Sequence, residues 1–243
     1  MRLKKETIKM SIDKKLATEN GPAIEVGKKA RKHIRIPDYT VGEEIMNAVS
    51  HGIGTPLAIA ALVLMLVKAK DPLAVGCAIA FGVSMIILYT ISCVYHALSP
   101  KLYSKGVMRV IDHCNVHLLV CATYVPASLM GVGGAKGWIM FSIVAFFSLL
   151  GIIATTIDVD KYSKLSVACH LLSGWSILIG IKELWHVMGT TGIILIAAGG
   201  VCYSIGAVLY GLGKKKRYMH SIFHVFCLAA TVLQFLGLYL YLF

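Results

Sequence analysis

The chain has 243 residues, of which 57% are hydrophobic and only 15% charged, and its 24 basic against 12 acidic residues give a net charge of +12. Soluble domains are about 45–50% apolar and about 25% charged, so this composition excludes both an ordinary soluble globular protein and a disordered one. A membrane protein is indicated.

The charge is concentrated at the start of the chain. Residues 1–44 contain 11 of the basic and 7 of the acidic residues. They predict a basic cytoplasmic arm that attracts anionic lipid headgroups, followed by a transmembrane domain over residues 45–243. The arm has no aromatic residues interleaved with its basic ones, so we predict no nucleic-acid binding.

Seven apolar windows follow the arm, and six of them contain no Lys, Arg, Asp or Glu. Lipid offers no partners to backbone amides, and the windows lack the alternation of a barrel strand, so each window predicts a helix. The fold class predicted is an all-α bundle of seven transmembrane helices. In chain order the windows are Ile45–Val67, Leu73–Tyr95, about Val110–Met130, Gly137–Ile157, Leu165–Ile181, Val187–Gly213 and Tyr218–Phe243.

The loops between these windows differ in charge. With the N-terminus in the cytoplasm, 20 of the basic residues fall on the cytoplasmic side and 4 on the opposite side. Short cytoplasmic loops carry an excess of Lys and Arg. This asymmetry predicts a cytoplasmic N-terminus and a C-terminus on the outside of the cell membrane.

With this topology, polar residues from four windows gather at the cytoplasmic end of the bundle. His220 and His224 lie four residues apart, so they share one helical face and can bind one small cation. Three histidines with an open fourth position form a typical catalytic zinc site. From the residues alone, interfacial or core histidines remain an alternative, as does a salt bridge between Asp112 and Arg109. The gathered residues are Asn47, His51, Ser92, His96, Asp112, His113, His117, His220 and His224.

Several motifs of this chain resemble the haemolysin III proteins of bacteria, which are related to the progestin and adipoQ receptor (PAQR) family. The resemblance runs from about Glu43 to the C-terminus, and the order and spacing of the motifs carry it. The motifs are Glu44 with Asn47-x-x-Ser50-His51-Gly52, Ser92-x-x-Tyr95-His96, Asp112-His113, Thr123-Tyr124-x-Pro126, Gly174-Trp175, Gly199-Gly200-x-x-Tyr203-x-x-Gly206-x-x-x-Tyr210, and His220-x-x-x-His224.

The resemblance implies seven helices with a cytoplasmic N-terminus and a zinc ion held by His96, His220 and His224. It also implies that Asp112 and Ser92 lie close to the metal. The chain departs from the family pattern at four positions, and at the last three of them an additional polar pocket or satisfied core residues are expected. These positions are Ser50, Asn115, His117 and His170.

Three functions follow from these observations. The first is a zinc-dependent hydrolase of a lipid amide or ester, or a lipid sensor, with Asp112 as general base and Ser92 as hydrogen-bond donor to the developing oxyanion. The second is a structural zinc site in a non-catalytic protein of membrane homeostasis. The third is a pore-forming haemolysin, which needs polar residues through the full depth of the bilayer.

Overall fold

The computed structural model describes residues 34–243, and this part of the chain contains α-helices and no strand. The predicted N-terminal arm lies mostly outside these residues. The α-helices are α1 (Val41–Lys68), α2 (Pro72–Ala97), α3 (Tyr103–Pro126), α4 (Gly134–Ile157), α5 (Ser163–Trp175), α6 (Ile181–Gly213) and α7 (Met219–Tyr241). A π-helical segment, Ala127–Val132, continues α3, and a 3-10 segment, Ser176–Gly180, joins α5 to α6.

The first two helices begin where the sequence provides caps. Thr40 and Glu43 form a capping box, in which the Thr40 hydroxyl accepts from the Glu43 amide and the Glu43 carboxylate accepts from the Thr40 amide. Asp71 caps α2 by accepting from the Ala74 amide at 2.9 Å, and Pro72 occupies the first helical position. Because of its cap, α1 begins four residues before the predicted apolar window.

Six helical stretches of the described chain are long and apolar enough to cross a membrane. Their outward faces expose large apolar side chains such as Ile53, Trp138 and Val208. Such a surface suits contact with lipid, because in water large exposed apolar patches are rare on monomeric proteins. The all-α membrane architecture predicted from the sequence is therefore confirmed.

The predicted break between the fifth and sixth windows is wrong in position. Lys182 and Glu183 were expected in a loop, but the helical stretch Ser163–Gly213 passes through them over 51 residues. The chain departs from helical geometry at Gly189 instead, where φ is 64° and ψ is −177°. Only glycine adopts this conformation without a steric penalty, so the bend lies six residues later than the charged pair suggests.

The packing of the helices determines where the candidate site lies. Helix α1 packs against α2 and α7, α3 packs against α2 and α4, α5 packs mainly against α4, and α6 packs mainly against α7. A core of buried apolar side chains fills the middle of the bundle, including Phe81, Met85, Leu184 and Leu238. As a result, the start of α1, the end of α2, and the starts of α3 and α7 meet at one end of the bundle, here called the site end.

Candidate metal centre

Three histidines converge at the site end. His96 lies in the last turn of α2, and His220 and His224 lie in the first two turns of α7. One ring nitrogen from each lies within 4.8 Å of the other two, and all three residues are buried. The Nε2 atoms of His220 and His224 are 3.1 Å apart. The described residues thus contain a three-histidine cluster that can hold a metal ion.

The orientation of His96 is set by a carboxylate. Its Nδ1 lies 2.6 Å from Oε2 of Glu44 on α1, and the Asn47 amide lies 3.3 Å from the same nitrogen. An ionised carboxylate only accepts hydrogen bonds, so Nδ1–H of His96 is the donor. Nε2 therefore keeps its lone pair, and it is buried without a hydrogen-bond partner within residues 34–243. Metal-binding histidines usually have this arrangement, with a carboxylate on the other nitrogen.

Glu44 is held in turn by a buried lysine. Nζ of Lys105 on α3 lies 2.6 Å from Oε1 of Glu44, and the lysine side chain is fully buried. The same ammonium donates to the carbonyls of Leu98, at 2.7 Å, and His96, at 3.3 Å, near the end of α2. Lys105 thus satisfies carbonyls that a helix terminus leaves without partners and fixes the carboxylate behind His96.

The two predicted catalytic residues lie beside this cluster. Ser92 and Asp112 line a cavity of about 30 Å³ together with His51 and His224. A cavity of this size can hold a water molecule. The Ser92 hydroxyl is buried and has no hydrogen-bond partner in the described part of the chain. Both side chains therefore face the space next to His224.

Asp112 does not pair with Arg109, so that alternative from the sequence is wrong. Arg109 instead forms a two-pronged ion pair with Asp160 in the loop after α4, with N–O distances of 3.0 and 2.8 Å. One Asp112 oxygen lies 3.5 Å from Nδ1 of His113. The Asp112 carboxylate consequently remains available to the cavity that it lines.

The other predicted candidates have separate positions. The ring centroids of His51 and His224 are 3.8 Å apart. Neither ring nitrogen of His51 has a hydrogen-bond partner within residues 34–243. His113 faces the ring of Tyr210 at 5.8 Å. Asn47 contacts His96, as described above. His51 therefore adjoins the cluster, whereas the three convergent nitrogens belong to His96, His220 and His224.

The donor set suits a small divalent metal ion. Imidazole nitrogen is a good ligand for zinc, copper, iron and nickel. One ring nitrogen of His96 lies within 4.8 Å of a nitrogen on each of the other two histidines, and its Nε2 is buried without a hydrogen-bond partner among residues 34–243. Three protein ligands leave coordination positions for water or a substrate. The residues present therefore fit the metal that the resemblance implies.

Sequence reasoning missed the roles of Glu44, Lys105 and Tyr39. Glu44 was recognised only as part of a motif, because an acidic residue in the first turn of a helix is also expected where it is exposed and complements the helix dipole. Lys105 was counted as a loop charge. Tyr39 stacks on His220, with ring centroids 5.0 Å apart, and no motif marks it.

Of the positions that depart from the family pattern, Asn115 and His117 are buried and His170 is partly buried. Nε2 of His117 lies 2.8 Å from the Ser166 hydroxyl, which lies 3.1 Å from that of Thr155. The His117 and His170 rings are 6.0 Å apart. Asn115 is buried, and its Nδ2 has no partner among the described residues. A cavity of about 80 Å³ connects His117 and His170 to Asp112 and His220.

Comparisons with known proteins identify relatives of this chain. A family profile described as "Haemolysin-III related" matches residues 39–235. "Hemolysin-3" of Bacillus cereus is 35% identical over 199 residues, which is 80% of this chain and 90% of the relative. "Hemolysin-3 homolog" of Bacillus subtilis (strain 168) is 34% identical over 200 residues, covering 81% and 93%. "Monocyte to macrophage differentiation factor" of Homo sapiens is 22% identical over 170 residues, covering 67% and 69%.

Proposed function

Because the chain belongs to the haemolysin-III related family, whose members are multi-pass membrane proteins, we propose that it is a zinc-dependent hydrolase of a membrane lipid. The bond cleaved is an amide or ester, and the site is formed by His96, His220 and His224 with Asp112 and Ser92. A lipid reaches this site from the bilayer in which the bundle lies.

One observation carries the proposal. The buried Nε2 of His96 has no partner in the described chain. One ring nitrogen of His96 lies within 4.8 Å of a nitrogen on each of His220 and His224, whose Nε2 atoms are 3.1 Å apart. An unpartnered buried polar atom is costly, by about 1–3 kcal/mol, so a group that pairs with it stabilises the fold. Binding of a cation between the three nitrogens supplies that partner.

His96, His220 and His224 would hold the zinc ion, which would supply Lewis acidity for polarising a carbonyl group and activating water. Asp112 accepts the proton of the attacking water, since its carboxylate lines the small cavity beside His224. Ser92 donates a hydrogen bond to the oxygen on which negative charge develops, since its hydroxyl opens into the same cavity. Glu44 holds His96 in the tautomer that leaves Nε2 free.

We further infer that the chain crosses the membrane seven times. A straight helix of 51 residues is about 77 Å long, more than twice the hydrocarbon thickness of about 30 Å. The bend at Gly189 divides the stretch Ser163–Gly213 into two crossings. The excess of basic loops at the site end supports a cytoplasmic site and an outside C-terminus.

Two alternative functions are compatible with the same fold. A structural zinc ion would join α2 to α7 without turnover, in a protein that senses lipid or maintains membrane composition. The name of the Bacillus cereus relative raises cytolysis. The buried charged and histidine side chains of the described residues gather at the site end and towards His117 and His170, which disfavours a polar path along the whole bundle.

Metal content of the purified full-length protein tests the proposal. Wild type is expected to carry about one zinc per chain, and the His220→Ala/His224→Ala variant none. The His117→Ala variant is the control, because it removes a buried histidine outside the cluster, and it should keep its metal. An Asp112→Asn variant should keep zinc and lose hydrolysis of lipid amides or esters. Full metal in the double variant would refute the ligand assignment, and turnover by Asp112→Asn would refute its role.

A further inference from the structure

A third cavity opens at the site end, beside His220 of the histidine cluster. We call it the vestibule. It has a volume of about 450 Å³, within the usual range of small-molecule sites of about 300–1,000 Å³. Three residues of its floor, His113, Tyr210 and His220, also line the inner cavity that leads to His117 and His170. Its remaining lining residues are Arg35, Pro37, Asp38, Tyr39, Glu43, Arg109, Asp160, Gly213, Lys214, Lys215, Lys216 and Arg217.

The vestibule is strongly cationic. Six of its lining residues are basic and three are acidic, which leaves an excess of three positive charges when the histidines are neutral. Four of the basic residues are consecutive, Lys214 to Arg217, in the turn between α6 and α7. A concave surface lined by one sign of charge concentrates ions of the opposite sign. The ligand of this cavity is therefore expected to be an anion.

The basic turn is held in place at both ends. At one end, Nζ of Lys214 donates to the Ser163 hydroxyl at 2.8 Å, across the cavity mouth to α5. At the other end, the backbone N–H of Tyr218 donates to Oε1 of Glu43 on α1 at 2.7 Å. Tyr218 has a φ of 61°, a strained conformation for a residue with a side chain. These contacts fix the turn so that its cations surround the vestibule.

The opposite wall is also built from fixed side chains. Arg109 is buried, forms its two-pronged ion pair with Asp160, and donates to the backbone carbonyl of Arg35. Its Nε is buried and has no hydrogen-bond partner within residues 34–243. The hydrogen bonds from Arg109 lower the pKa of Asp160. The excess of three positive charges already counts Asp160 as ionised. The vestibule therefore combines this excess with a cationic donor, Nε of Arg109, that has no partner among the described residues.

We propose that the vestibule binds a phosphate group. A phosphate monoester carries about −1.5 to −2 charge at pH 7 and has three acceptor oxygens, so it matches an excess of three positive charges better than a single carboxylate does. A phosphate of a lipid headgroup and free phosphate share this chemistry. The inner cavity beyond His220 gives the apolar part of an amphiphile a place to enter. The proposal does not rest on the metal, because none of the four basic turn residues belongs to the histidine cluster.

Calorimetric titration of the full-length protein in neutral detergent tests this binding, with short-chain phosphatidic acid in one arm and inorganic phosphate in the other. A Lys215→Gln/Lys216→Gln variant reduces the excess charge of the vestibule from three to one. The matched control is Lys161→Gln/Lys164→Gln, which removes one exposed lysine from the loop between α4 and α5 and one from the first turn of α5, both outside the vestibule lining. Zinc content is measured in every sample.

The vestibule variant should bind phosphatidic acid at least about tenfold more weakly than wild type, since each basic residue near an anionic group contributes about 1 kcal/mol. The control should differ from wild type by less than about twofold. Binding of phosphatidic acid alone identifies a headgroup, and binding of inorganic phosphate with similar affinity identifies the free ion. Equal loss in both variants, or no binding in either arm, overturns the proposal. Normal zinc in the vestibule variant separates this result from the fate of the metal site.

Discussion

The described part of the chain contains two groups of histidines inside the bundle, and they differ in what surrounds them. In the cluster of His96, His220 and His224, a carboxylate holds one ring and three nitrogens converge on one point. In the pair of His117 and His170, a serine hydroxyl holds one ring and the centroids are 6.0 Å apart. The residue type is thus the same in both groups, and the neighbouring side chains decide which histidines can share an ion.

Single contacts show why the two groups of histidines differ. The i,i+4 spacing of His220 and His224 on α7 brings their Nε2 atoms together. His117 and His170 lie on different helices, and His117 packs against Gly151 of α4, where a side chain would overlap its ring. A glycine at that position lets the histidine fit between α3 and α4. The second pair is therefore placed by packing, which favours a role in the fold or in lining the inner cavity.

Changing Glu44 to Gln tests the contribution of the carboxylate and has the largest expected effect. The substitution keeps the size of the side chain but removes the charge that holds Nδ1–H of His96. We expect metal affinity to fall by about 10–100-fold, the usual effect of losing such a partner. Competition with a chelator of known affinity measures it. The control is Glu183→Gln, which removes a carboxylate paired with Lys136 and should leave the affinity unchanged.

Loss of Glu44 also leaves Lys105 buried without its counter-ion, which by itself can destabilise the fold by about 3–5 kcal/mol. A Glu44→Gln/Lys105→Met double variant removes both charges and is expected to recover much of the thermal stability. If the carboxylate orients His96, metal affinity stays low in this variant. Recovery of affinity together with stability would contradict an orienting role.

Changing Ser166 to Ala tests the second group. The substitution removes the hydroxyl that contacts both His117 and Thr155, so Nε2 of His117 loses its partner. We expect a loss of about 1–3 kcal/mol in the free energy of unfolding, with no loss of metal. Thermal unfolding in detergent measures the first quantity and metal analysis the second. Thr156→Ala is the control, because its exposed hydroxyl only bonds the Ile153 carbonyl, and a metal loss in Ser166→Ala would show that the two groups form one site.

The sequence predicted the helices better than their connections. The first apolar window, Ile45–Val67, lies inside α1, but the helix extends to Val41 because the capping box satisfies polar residues that hydropathy excludes. The break between the fifth and sixth windows was placed at Lys182 and Glu183 because charge marks loops. The structure uses Gly189, whose backbone conformation carries no hydropathy signal.

The convergence of the three histidines was predictable from the sequence, whereas the residues that support them were not. His220 and His224 are marked by their spacing, and topology brings His96 to the same end. The contact between Glu44 and His96 joins residues 52 positions apart, so it depends on the rotation of α1 against α2, which spacing does not give. The same holds for Lys105, since a lysine in a basic loop normally faces water rather than the interior.

The smallest effect is expected from breaking the ion pair between Arg109 and Asp160. This pair is relevant to both groups of histidines because Arg109 lies on α3, which also carries His117 and packs against α2 with its His96. The hydrogen bonds from Arg109 lower the pKa of Asp160, against the opposing effect of partial burial. A carboxyl group whose pKa is lower in the folded state adds stability above its unfolded value, about 3.9. That stability is lost as the pH falls through the lower folded value.

Because the Asp160 side chain is 42% exposed, solvent screens the ion pair with Arg109, and the contribution of the pair is about 1 kcal/mol or less. We therefore expect Asp160→Asn to lower the unfolding temperature slightly at pH 7 and not at an acidic pH below the folded-state pKa of Asp160. An equal difference at both pH values would mean that Asp160 acts through packing and not through its charge.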